Sequence, residues 1–172
     1  MVKMQKIEKI YIDLDGVLAD FDRGVQKFCG YQLPDYNLPR EKTLSEKLWQ
    51  DLSKVPNFYR KLDMIFAAQD LFNFAVENFG NKVEILSAIP KPDKNILTAK
   101  EDKIAWCKKH LSADVKVNIC YREEKYKFCR GAGYFLIDDL KINIEEWKNS
   151  GGTGILFINP KQAIAELKNL LF

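Results

Sequence analysis

The sequence is short of metal-binding side chains of the nitrogen and sulfur kind. It has one histidine, His110, and four cysteines, Cys29, Cys107, Cys120 and Cys129, in 172 residues. No two cysteines stand in C-x-x-C or zinc-finger spacing, so no structural zinc site or thiol redox motif is written in the chain. His110 falls in the last turn of a helical stretch, a place for a C-terminal cap rather than a catalyst, and Cys129 has no base partner that would make it a reactive thiol. An excess of one charge is missing too: 27 Lys and Arg against 24 Asp and Glu leave +3. That is too slight a balance to argue for nucleic acid or a membrane surface as partner. No apolar run reaches spanning length, and the opening MVKMQKIEKIYI leads straight into a strand without a signal-peptide pattern. The expectation is a cytoplasmic protein with reduced cysteines. Internal repeats and low-complexity segments are also lacking.

What remains is an ordinary globular composition, 47% hydrophobic and 30% charged, long enough for one domain with a sizeable core and a small insert. Five short apolar runs read as strands, at 7–13, 83–87, 115–120, 134–138 and 154–158. Helical stretches lie between the later ones. Thr98 and Glu101 form a capping-box pattern opening TAKEDKIAWCKKHL, whose Ile104, Trp106, Cys107 and Leu111 include an inward face. EEKYKFCRG is short, INIEEWKNSGG stops at a glycine pair, and PKQAIAELKNLLF ends the chain as a helix with Pro160 near its start. Strands alternating with helices imply a parallel, Rossmann-like α/β sheet in three α/β/α layers. Residues 24–80 break the alternation: they are helical in period and rich in aromatics, with a loop expected over CGYQLPDYNLPREK. The expected domains are a core of 1–23 and 81–172 and a helical cap insert of 24–80 after the first strand.

The first strand ends in a like-charged pair. Ile10, Tyr11 and Ile12 read as a strand buried on both faces, yet Asp13 and Asp15 follow with one leucine between them, then Gly16. Two acids so close are costly to ionise unless a cation sits between them. In an open parallel sheet, ligands bind beyond the carboxyl ends of the strands. At those ends stand Asp13 and Asp15, then Ser87, then the pair Asp138–Asp139, with Lys125 and Lys127 just before the fourth strand. Carboxylates, a hydroxyl and an ammonium on one edge suit phosphoryl transfer. Mg²⁺ takes hard oxygen ligands, one carboxylate can attack phosphorus while another protonates the leaving alcohol, and a lysine and a hydroxyl hold the equatorial oxygens.

DLDGVLADF, ILSA, the lysine before the fourth strand and LIDD resemble, in order, the four motifs of the haloacid dehalogenase superfamily. The form is similar to that of 5'(3')-deoxyribonucleotidases, as is the continuation LIDDLKINIEEWKNSGGTGILF. The resemblance implies a Mg²⁺-dependent phosphomonoester hydrolase working through an aspartyl-phosphate, with a helical cap over the site. It implies Asp13 as nucleophile and Asp15 as general acid and then base. Magnesium would be held by Asp13, the backbone carbonyl of Asp15 and Asp138, with Asp139 outside that set or as an alternative ligand. Ser87 and Lys125 would bind phosphate, Lys125 being preferred to Lys127 because it stands at the start of its short helix. The second acid argues against a dehalogenase, which needs no leaving-group acid. The expected substrate is a small phosphomonoester, a nucleoside monophosphate above others. Phe21, Phe58, Trp49, Tyr59 and Phe66 are candidate base contacts, of which Phe21 and Phe58 are named as substrate-binding. A homodimer is compatible with the sequence. Rival readings are the same hydrolysis on a sugar phosphate or a nucleic-acid end, a receiver domain of two-component signalling, and a catalytically retired binding protein. The third strand ends in NICYRE, without the aspartate a receiver would place on its middle strand. Asp20 is expected to cap or orient the loop after the first motif, and Trp147 to anchor the core.

Overall fold

A computed structural model of the chain describes residues 6–31 and 44–170. The loop expected around residues 29–42 lies largely outside the described residues, as do the first five residues. Every expected strand forms, within one to two residues of its expected ends: β1 (Lys9–Ile12), β2 (Val83–Ala88), β3 (Val117–Cys120), β4 (Tyr134–Asp138) and β5 (Thr153–Leu156). They pair in parallel in the order β3-β2-β1-β4-β5. The chain therefore builds outward from β1 to β3, then returns across β1 to lay down β4 and β5. That reversal makes the carboxyl ends of β1 and β4 the switch point where a cleft opens.

Side-chain parity along the strands sorts the core into two layers. Ile10, Ile12, Val83, Ile85, Phe135 and Ile137 face one side, packed with α3 (Ala68–Phe79), α4 (Ala99–His110) and α6 (Pro160–Lys168). Tyr11, Leu86 and Leu136 face the other, against Ile144 and Trp147 of α5 (Lys141–Asn149) and Phe128 of a 3₁₀ segment, Arg122–Phe128. Trp147 is wholly buried, with its indole N–H donating to the Tyr134 carbonyl at 3.1 Å, and so anchors that layer. The three-layer α/β/α architecture is thus present.

Residues 24–80 do not behave as one insert. A helix, α1 (Phe21–Cys29), already begins at Phe21, with Asp20 capping it by accepting from the Arg23 N–H at 3.0 Å. It packs with α2 (Glu46–Ser53), near the carboxyl edge of the sheet. α3 instead packs against α6 and β2, as a crossover helix of the sheet. The cap-like part is α1, α2 and the turn that follows them.

The capping box at Thr98 does not form. Thr98 already has helical backbone angles and its side chain makes no capping bond. Its hydroxyl donates instead to Asp102 at 2.8 Å, because that buried carboxylate needs a partner more than the exposed first turn does. On the inward face of α4, Trp106 and Cys107 are fully buried as expected, whereas Ile104 and Leu111 are half-buried. The surprise is that Asp102 and Lys103 are fully buried beside them.

Candidate active site

Asp13 follows β1 directly, and its backbone N–H donates to the Ile137 carbonyl at 2.9 Å, which extends the β1–β4 ladder by one rung. Its side chain is buried and falls on the Tyr11 face of the sheet. Asp138, the last residue of β4, falls on the same face and is fully buried. Between them stands the ammonium of Lys125, donating to Asp138 Oδ2 at 2.6 Å and 2.9 Å from Asp13 Oδ2. The 3₁₀ segment that carries Lys125 covers this face, which is why its side chain reaches the acids. Lys127 points away, exposed and paired with Glu124. Of the two lysines the sequence offered, the structure puts Lys125 at the site.

Burial pushes the Asp13 carboxyl up to about 7; Lys125 pulls it down, and Asp138 and Asp15 push it further up. Burial alone would lower the Lys125 pKa, but Asp13 and Asp138 outweigh it and hold the ammonium charged. Asp138 is oriented by a residue that the sequence reading passed over. Asn143, buried in the first turn of α5, donates to both Asp138 oxygens at 3.0 Å, and the Leu140 N–H donates to Oδ1 at 2.8 Å. A buried Asn on a helix face otherwise filled by Ile144 and Trp147 was the available signal.

Asp15 turns to the opposite side. Its Oδ2 accepts from Lys103 at 2.5 Å, while its Oδ1 is buried with no hydrogen-bond partner. Ser87 is fully buried and lies beneath the cavity wall; its hydroxyl accepts from the same Lys103 at 3.0 Å. Gly16, with φ +78°, lets the chain turn after Asp15, and a Cβ there would run into the Asp139 carboxylate. The glycine is required twice over, by backbone conformation and by that close approach.

Asp13, Asp138 and Asp139 offer carboxylate oxygens all within 4.8 Å of one another. The donors are all oxygen, which suits a hard divalent cation and not zinc. The residues present therefore fit a divalent metal.

These groups open into a cavity of about 590 Å³ lined by Asp13, Asp15, Lys125 and Asp139, and further out by Phe21, Trp49 and Tyr59. Of the aromatics the sequence offered as base contacts, those three face the cavity. Phe58 does not: it is fully buried behind them, edge-on to Phe21 at 5.6 Å and to Tyr59 at 5.2 Å between ring centres. Phe66 is 94% exposed and lines a separate hollow.

The family model described as 5' nucleotidase, deoxy (pyrimidine), cytosolic type C protein (NT5C) matches residues 5–167. The chain belongs to this family. It is accordingly a hydrolase of the haloacid dehalogenase superfamily, an enzyme of the nucleotidase-like phosphatase type. Solved structures agree on the fold of this NT5C-family chain. A HAD-superfamily hydrolase from Ehrlichia chaffeensis is 17% identical with a TM-score of 0.53, over 99% of this chain and 100% of that one. A HAD family hydrolase from Deinococcus radiodurans R1, solved with bound phosphate and sodium, is 13% identical with a TM-score of 0.51, over 87% and 80%. No curated protein matches the NT5C-family chain in sequence. Among its described residues, no helix is long and apolar enough to cross a membrane.

Proposed function

We propose that the chain hydrolyses nucleoside monophosphates, with Mg²⁺ as cofactor and a phosphoryl group passing through Asp13. The observation that best supports this is the meeting of Asp13, Asp15, Asp139 and Lys125 in one cavity that Phe21, Trp49 and Tyr59 also line, with Asp138 buried against Lys125. Asp13 attacks phosphorus and forms an acyl phosphate as the P–O bond to the alcohol breaks. Asp15, protonated, gives its proton to the departing alkoxide oxygen. A water then attacks the same phosphorus, Asp15 takes its proton, and phosphate leaves with Asp13 restored. Lys125 has two of its three N–H groups on Asp13 and Asp138, and the third is available to a phosphoryl oxygen. The Asp13 and Asp138 side chains and the Asp15 carbonyl would hold Mg²⁺, with Asp139 beside them. Bound there, the ion offsets the charge gathered on carboxylates and phosphate.

Phosphate contacts alone treat every monoester alike, so selectivity comes from what touches the rest of the molecule. Phe21, Trp49 and Tyr59 give flat apolar faces for a base, where a sugar phosphate would need groups matched to its hydroxyls. A substrate of this class fits a cytoplasmic enzyme. The test is a turnover panel with Mg²⁺. Deoxynucleoside 5'- and 3'-monophosphates are expected to exceed glucose 6-phosphate and p-nitrophenyl phosphate in kcat/KM, and a lead for sugar phosphates refutes the nucleotide assignment. Asp13→Asn is expected to fold and to lose turnover by several powers of ten, and near wild-type activity refutes the nucleophile.

A further inference from the structure

Lys103 is not one of the lysines the sequence pointed to, yet its ammonium is fully engaged. It is 0% exposed. Its Nζ donates to Asp15 Oδ2 at 2.5 Å, to Ser87 Oγ at 3.0 Å and to the Ala88 carbonyl at 2.5 Å. The Tyr59 ring closes over it, its centre 4.4 Å from Nζ. A lysine ammonium has three N–H groups, and here each has an acceptor. None is left for a phosphoryl oxygen, and Lys103 does not line the cavity as Lys125 does. Its chemistry is therefore directed at protein groups.

We infer that Lys103 is a positioning residue that fixes the Asp15 carboxyl for proton transfer to the leaving oxygen; this rests on the phosphatase reading above. Tying Oδ2 to a buried cation sets the plane of the carboxyl group and leaves Oδ1 as its oxygen without a protein hydrogen-bond partner. A carboxyl group free to rotate would present its proton in many directions, and proton transfer requires heavy-atom contact at hydrogen-bond distance. By donating to Ser87 Oγ, Lys103 also occupies an acceptor site of that hydroxyl. The lysine is itself held in place. Its neighbour Asp102 is bound by Arg60 Nε at 3.1 Å and by Asn57 Nδ2 at 3.3 Å. One turn on, the Trp106 indole N–H donates to the Leu62 carbonyl at 2.8 Å. Residues 57–62 of the cap-like part are thus fastened to the turn of α4 that carries Lys103.

The experiment compares two esters that differ in their need for a proton. An alkoxide leaving from a deoxynucleoside 5'-monophosphate must be protonated, whereas dinitrophenolate leaving from 2,4-dinitrophenyl phosphate needs no acid. Lys103→Met is expected to lower kcat on the nucleotide by about 100-fold or more, with KM within about threefold. On the dinitrophenyl ester the loss is expected to stay under about tenfold, the share that comes from the Ser87 contact. Lys103→Arg keeps a buried cation but offers a planar fork in place of three diverging N–H groups. It is expected to show the same order of losses at smaller size, and it decides the matter if thermal melts show that Lys103→Met is not folded. Equal losses on the two esters, or a raised KM with kcat kept, overturn the positioning role while leaving the phosphatase intact. Wild-type protein inert toward both esters overturns the phosphatase reading and this inference with it.

Discussion

Removing divalent metal should make the protein less stable as pH rises, and the cause is one carboxyl group. Asp13 is buried among acids, and its pKa stands at about 7 against an ordinary value of 3.8. Between those two pH values the folded chain keeps a proton that the unfolded chain has released. Unfolding is then favoured as pH rises, so stability falls across the window from about 4 to 7 and levels off above it. A shift of roughly three pH units is worth about 4 kcal/mol. For a chain of this size that corresponds to about 8–16 °C in Tm. Other groups titrate over the same range, so the quantity to measure is the difference between wild type and Asp13→Asn, a neutral isostere. In EDTA, melts followed by circular dichroism from pH 4.5 to 8 should show wild type losing ground to Asp13→Asn as pH rises. Added Mg²⁺ should raise the wild-type Tm most at pH 8, where Asp13 has no proton to displace, and should raise that of Asp13→Asn far less. A wild-type protein that gains stability relative to Asp13→Asn between pH 4.5 and 8 refutes the reasoning.

Three further outcomes follow from the same geometry. Turnover should vanish in EDTA and return with Mg²⁺ but not with Zn²⁺, since the clustered donors are all carboxylate oxygens; full activity in chelator counts against the metal site. Asn143→Leu removes both side-chain bonds to Asp138 at similar volume, and should weaken Mg²⁺ binding by about 10- to 100-fold in a calorimetric titration. Trp49→Ala takes one aromatic face from the cavity, and should cost about 5- to 150-fold in kcat/KM on a deoxynucleotide and much less on p-nitrophenyl phosphate.

The sheet and the acids at its edge were legible because both are written in short-range pattern. Apolar runs of strand length mark β1 to β5, and an acid directly after such a run has to sit at the carboxyl edge. Lys103 was not legible in the same way. It is one of four lysines within α4, at positions 100, 103, 108 and 109, and propensity treats them alike. Only helical geometry separates it: three and four residues before Trp106 and Cys107, it falls on their buried face, where a charge has to find a partner. Asp102 carries the same signal four residues before Trp106. The extent of the cap was hidden for a different reason. An amphipathic pattern says that α3 has a face to bury, and says nothing of whether β2 and α6 or α1 and α2 receive it. Phe58 was misjudged because an aromatic side chain records its preference for burial and not its direction; Phe58 backs the cavity wall that Phe21 and Tyr59 form.

Sheet parity explains why this site needs a lysine from each side. Asp13 and Asp138 continue the face of Tyr11 and Leu136, so their counter-ion must come from the layer over that face, and Lys125 comes from the 3₁₀ segment there. Ser87 continues the face of Val83 and Ile85, which α4 covers, so its partner is Lys103. Asp15, two residues beyond Asp13, would share the Asp13 face if the strand ran on. The strand ends at Ile12, and the chain turns back at once, with the Leu14 carbonyl accepting from the N–H groups of Val17, Leu18 and Ala19. That turn carries Asp15 to the α4 side. Two acids one residue apart in sequence therefore meet different cations in different layers. Asp13 shares Lys125 with a second carboxylate, which helps to raise its pKa, whereas Asp15 is the one carboxylate that Lys103 binds among the described residues. One aspartate sits between a lysine and a second carboxylate, and the other is held by a lysine from the opposite layer.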